Sequence, residues 1–173
     1  MKSISRLLLA ALTMTLAGCL ADAPPTRPAG PSGPSPQQRM AQIDAVAGID
    51  DTELNVQPLR DPEVEDLRES AKLARDLGNL RKAADDLNQA LLLVADDPAL
   101  LQERAEIALL QREYTRAETL SLRAVELGSQ TGPLCRRHWA TVEQSRLARG
   151  DTENAASAHA MIENCTVPGV LRM

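Results

Sequence analysis

Chemistry in this chain would have to come from a small set of residues: three cysteines, two histidines and a few acidic pairs. The densest candidate is Cys135-Arg136-Arg137-His138, a thiol and an imidazole that could share one helix face, with His159 and Cys165 as the other ligands of a metal site. His159 and Cys165 are 165 − 159 = 6 residues apart, which at about 3.6 residues per turn sets them about 120° apart around a helix, so the four do not converge. The C-x-x-H stretch also lacks the second cysteine of a haem attachment site. Ser157 and His159 offer a nucleophile and a base, but residues two apart on a helix face different ways, and no orienting carboxylate accompanies them. Gly30-Pro31-Ser32-Gly33 follows no strand and has no lysine, unlike a phosphate loop. Asp50-Asp51, Asp85-Asp86 and Asp96-Asp97 read as solvated faces and helix caps rather than paired catalytic carboxylates. The expectation is a non-enzyme with no catalytic residues, no bound metal and no cofactor.

The third cysteine has a different context. Lys2 and Arg6 precede an uncharged run, Leu7 to Leu16, followed by the small residues Ala17 and Gly18 and then Cys19. The run is too short to span about 30 Å of hydrocarbon as a helix and has the build of a secretory signal peptide. Leu16-Ala17-Gly18-Cys19 resembles the lipobox of bacterial lipoproteins. That resemblance implies removal of residues 1–18 and acylation of Cys19, palmitate included, as the first mature residue. Leu20 stands where that family places an aspartate for inner-membrane retention. The implied location is the outer membrane, facing the periplasm, with the cell surface as the alternative. Residues 19–38 then form the lipidated cysteine and a tether rich in Pro, Gly and Ser, reaching at most about 3.1 Å per residue.

Loss of residues 1–18 removes Lys2 and Arg6 and no acidic residue, so the mature net charge is −5 − 2 = −7. Aromatic residues are reduced to Tyr114 and Trp139. An acidic chain without stacking platforms does not bind nucleic acid, which needs Lys/Arg phosphate contacts and, for single strands, aromatic faces. Alanine and leucine dominate after residue 62, interspersed with charged residues, which is helix-forming material.

That region repeats. A shift of 34 superposes Leu67 on Leu101, Ala71 on Ala105, Ala74 on Ala108, Leu80 on Tyr114, Ala83 on Ala117 and Ala90 on Ala124. A third copy follows after a four-residue insertion in the loop Gly128–Pro133, with Trp139 at the Leu67/Leu101 position and Gly150-Asp151-Thr152-x-x-Ala155 matching Gly78-Asn79-Leu80-x-x-Ala83. The pattern resembles the tetratricopeptide repeat (TPR), a helix–turn–helix unit, and departs from it at Glu143 and Ile162. Asp61-Pro62 and Asp97-Pro98 each place a capping acceptor before a first-turn proline, and Pro133 opens the third pair. The expected fold is all-α: a solenoid of three TPR-like helical hairpins over residues 62–165. A short, weak helix and an extended segment occupy 39–61, and a tail occupies 166–173.

The TPR resemblance implies a concave groove lined by the first helix of each hairpin. Its positions here are Glu65, Arg68, Lys72 and Arg75, then Gln102, Glu106 and Leu109, then Arg137, Ala140 and Gln144. Lys72, Glu106 and Gln144 stand where a carboxylate-clamp TPR needs its first asparagine, so that mode is not expected. Secretion also makes a Cys135–Cys165 disulfide the default. The two lie at similar distances before and after the turn at Gly150-Asp151, hence at one height on antiparallel helices. The functional expectation is a membrane-anchored protein-binding adaptor or assembly factor for an envelope machine. The alternatives are a permanent accessory subunit that uses no groove and a metal-binding or hydrolytic protein.

Overall fold

Aspartate–proline pairs set where the first two hairpins begin. The computed structural model describes residues 33–48 and 61–166; the lipobox with Cys19, most of the tether, residues 49–60 and the tail after Thr166 lie outside the described residues. Helix α1 spans Pro36–Ala47, and six further helices pair as α2 (Pro62–Asp76) with α3 (Leu80–Leu93), α4 (Pro98–Leu110) with α5 (Tyr114–Leu127), and α6 (Gly132–Ala148) with α7 (Thr152–Asn164). No strand occurs among the described residues. The molecule is an all-α solenoid of three helical hairpins plus α1.

Asp61 accepts a hydrogen bond from the Glu63 amide, and Asp97 accepts from Ala99 and Leu100, so each satisfies otherwise orphaned first-turn donors. The third hairpin differs from expectation: Thr131 gives α6 no side-chain cap. There the Gly132 N–H donates to the Cys165 carbonyl at 2.8 Å, so the end of α7 caps the start of α6.

Within each hairpin, alanines let two helices approach. Ala83, Ala117 and Ala155 are buried at equivalent positions, and so are Ala90, Ala124 and the larger Ile162. Glu143, at the small position of the third hairpin, is part-buried and accepts a hydrogen bond from the exposed His159 Nδ1 at 3.0 Å. The tight turns place one residue in the left-handed region. Gly78 (φ +77°) and Gly150 (φ +78°) do so freely, whereas the middle hairpin uses Arg112 (φ +66°), a conformation side-chain-bearing residues resist.

Helix α1 takes in the last three residues, 36–38, of the segment assigned to the tether. Ser35 and Gln38 form a reciprocal capping box with Pro36 in the first turn, which starts the helix there. It is docked as well as capped: α1 packs on α6 and α4, with Ile43 and Ala47 buried.

Candidate protein-binding groove

The first helices of the hairpins, α2, α4 and α6, line a concave face, and its two ends are built differently. Toward the first hairpin the face is an open cleft of about 420 Å³, bounded by Glu65, Arg68, Lys72 and Arg75 from α2, Gln102, Glu103 and Glu106 from α4, and Arg137 from α6. Seven sequence-predicted positions therefore meet there. Arg68 is clamped between the carboxylates of Glu65 and Glu103, and the Glu103 hydrogen bond chiefly holds its guanidinium charged well above the usual arginine range. Lys72 is exposed at the rim.

The floor is a buried polar chain. Glu106, only 2% exposed, accepts from Arg137 Nε and from the Gln102 amide at 3.0 Å, and faces Arg75 at 3.7 Å. Burial opposes the Arg137 charge, but the Glu106 carboxylate, with help from Asp44, outweighs it and raises the arginine's pKa. The Gln102 amide also donates to Thr141 Oγ1 at 2.8 Å, and its oxygen faces Ser121 Oγ and His138 Nδ1. That oxygen only accepts, so Nδ1 carries the imidazole proton and Nε2 is an acceptor. Burial, then the neighbouring Arg137 charge, lowers the His138 pKa from 6.5 to about 4. The chain gives the buried carboxylate definite partners and holds the imidazole through Nδ1 alone, since His138 Nε2 is buried without a hydrogen-bond partner.

Three predicted groove positions are corrected: Ala140 is 1% exposed and packs against Ile43 of α1. Leu109 is fully buried and Gln144 is 7% exposed, because α1 lies across them. Arg39 of α1 donates to the Gln144 side-chain and main-chain oxygens at 3.2 and 3.3 Å. Arg137 pairs with Asp44 at 2.7 Å, and Arg136 donates twice to the Ala47 carbonyl at the end of α1. Ile43 enters a cluster with Ala108, Leu109 and Ala140. The sequence places Ile43 and Ala47 at the apolar spacing of a short, weak helix, but assigns none of Arg39, Ile43, Asp44 and Ala47 to the groove. The available signal was the fourfold spacing of Arg39, Ile43 and Ala47, which puts them on one helix face.

Cys135 and Cys165 are joined, with Cα atoms 5.7 Å apart. Met161, one turn before Cys165 on α7, is 37% exposed. His138 and His159 serve separate networks, with Gln102 and Glu143 respectively. Among the described residues no group of three or more His, Cys, Asp or Glu side chains is disposed to hold a metal.

Hairpin stacking and a lined concave face define an all-α, TPR-like helical-repeat domain. Among solved structures, the chain is similar to the globular C-terminal domain of P. aeruginosa LpoP, at 25% sequence identity and a TM-score of 0.57, over 61% of this chain and 99% of that one. No protein-family model matches the chain, and no curated protein matches it.

Proposed function

We propose that this chain is a lipid-anchored envelope protein that binds protein partners through its concave face, as a non-enzymatic adaptor or assembly factor. The observation that carries the reading is the open cleft, whose charged walls are fixed before any partner arrives. Rigid charged groups lose little freedom on binding, which favours selective recognition of a complementary segment. The likeness to a domain of LpoP, an outer-membrane lipoprotein, supports an envelope setting. No described helix is long and apolar enough to cross a membrane, so attachment rests on Cys19 in this reading. The outer membrane, with the domain facing the periplasm, is the proposed location. Cys135–Cys165 is proposed as a disulfide of that oxidising compartment.

A second reading has its own support. Leu77 and Leu92, at opposite ends of the first hairpin, are 77% and 85% exposed, each beside a further exposed leucine, Leu73 and Leu93, and paired exposed apolar residues favour a permanent subunit contact there. Co-purification from detergent-solubilised membranes separates the two. Loss of partner with Lys72→Glu supports the groove, and loss with Leu77→Ser/Leu92→Ser supports the subunit. Cys19→Ala tests the anchor: it should leave an unprocessed or mislocalised precursor, and a variant that still matures and fractionates with membranes contradicts lipidation.

A further inference from the structure

Helix α1 sits where a TPR-like groove would seat a ligand. Its contacts are with α4 and α6, the first helices of the second and third hairpins, and it covers the groove positions Leu109, Ala140 and Gln144. Each contact is one that a separate helix could make. Gln144 offers two oxygens to a guanidinium, Arg137 offers a cation to a carboxylate, and Arg136 caps a helix C-terminus by binding its last carbonyl. The small Ala108 and Ala140 leave room between them for a branched aliphatic side chain, which Ile43 fills. The groove therefore reads a pattern: arginine, then isoleucine and aspartate four and five residues on, then a small residue closing the helix.

The fit of α1 is incomplete in two places. Along its flank toward the first hairpin runs a cavity of about 450 Å³, lined by Gln37, Met40, Ala41 and Asp44 of α1 and by Arg75, Leu80 and Leu110 opposite. The residues α1 turns to it are short or unbranched, so the apolar surfaces of Leu80 and Leu110 gain little from its presence. Arg39 is the second place. It is 6% exposed, meets only neutral oxygens of Gln144, and its Nε has no hydrogen-bond partner; a buried donor left unpaired weakens the docking. A helix of twelve residues is marginal on its own in water. Its outward face, with Gln38, Gln42 and Ala45 exposed, is polar or small, so the apolar surface that release uncovers is that of Met40, Ile43, Val46 and Ala47 and of Ala108, Leu109 and Ala140 in the groove.

We propose that α1 is an exchangeable internal plug, and that the covered half of the groove receives in its place an amphipathic helix of an envelope partner. That helix carries the Arg-x-x-x-Ile-Asp-x-x-Ala pattern of α1, with large apolar side chains at the positions of Gln37 and Ala41. Those side chains fill the flank cavity that α1 leaves open, which gives the incoming helix contacts the resident one lacks. Binding then requires α1 to leave, so apparent affinity is the intrinsic affinity reduced by the fraction of molecules with the groove empty. The inference rests on the reading that the concave face binds protein, and it adds the regulation of that site.

The test uses the full mature chain and a labelled synthetic peptide spanning Ser35–Gly48, with leucine replacing Gln37 and Ala41. Anisotropy titrations compare the wild-type chain with Arg39→Ala/Ile43→Asp and with the milder Arg39→Ala. The expected result is at least tenfold tighter peptide binding by the double variant than by wild type, an intermediate gain for Arg39→Ala, and no binding of a peptide carrying Ile43→Asp. Equal affinity of all three chains overturns the plug. Loss of the hairpin fold in both variants also overturns it, since α1 would then be a fixed part of the core. Concentration-dependent dimerisation of the wild-type chain without peptide binding assigns the groove to a second copy and overturns the choice of partner. Failure of the underlying reading looks different: the peptide gain is present, yet no envelope protein cross-links to the concave face.

Discussion

The two halves of the concave face use similar side chains to opposite ends. In the open half, Arg68 is balanced by Glu65 and Glu103, and its charge stays at a wetted wall. In the filled half, Arg39 is buried against the neutral Gln144 with one N–H unpaired. A guanidinium with two carboxylates is part of a finished wall, whereas one held by an amide belongs to a contact that can be given up. One end of the face is thus preorganised for a partner and the other is provisionally occupied.

The strongest way to break this comparison is through the last hairpin, because α6 carries most of the contacts to α1. The Cys135–Cys165 bond closes a loop of 165 − 135 + 1 = 31 residues, and removing both thiols with Cys135→Ala/Cys165→Ala should cost about 3–4 kcal/mol in the chain-entropy account. Hydrogen exchange should then rise first in α6, α7 and α1 while α2–α4 stay protected. Uniform loss of protection would show that the two halves are not separable. A thiol count on unfolded, unreduced mature protein checks the bond itself.

Acid should act on the shared floor and so on both halves at once. The folded-state pKa of His138 is lowered from 6.5 to about 4. Between those values the unfolded chain binds the proton that the folded chain refuses. Its contribution is therefore fully present above pH 6.5, declines as pH falls toward 4, and changes no further below that. The loss across the window is about 3 kcal/mol. His138→Gln should flatten the melting-temperature profile over this range, and an unchanged profile would refute the buried neutral imidazole.

The smallest effect lies away from both halves. Arg112→Gly relieves the left-handed turn of the middle hairpin, which Gly78 and Gly150 occupy in the others, and should stabilise by about 1 kcal/mol with no change in either half of the groove. A lower melting temperature would mean that the arginine side chain is worth more than the strain.

These features differ in how far the sequence reveals them. The hairpins are legible because their determinants are local: Asp61-Pro62 and Asp97-Pro98 start helices, and alanines recurring at fixed spacing mark where helices touch. The open half follows from the same repeat, which lays Glu65, Arg68 and Lys72 along one face of α2. The filled half was missed because Arg39 and Gln144 are 105 residues apart, and α1 has too few apolar residues to announce a buried face. The expectation of a weak helix there rests on the local spacing of Met40, Ile43, Val46 and Ala47, while its order comes from tertiary contacts. His138 was missed for a similar reason, since Gln102, which fixes its tautomer, lies 36 residues away.

The central claim, that the concave face is where a protein partner binds, is tested most directly by photo-crosslinking in intact cells. A photoreactive residue replaces Lys72, at the rim of the open cleft, or Glu126, whose side chain is 65% exposed on α5. The account predicts a discrete crosslinked envelope protein from position 72, abolished by Arg68→Glu, and none from position 126. Crosslinking from 126 but not 72, or from 72 unaffected by Arg68→Glu, would contradict it.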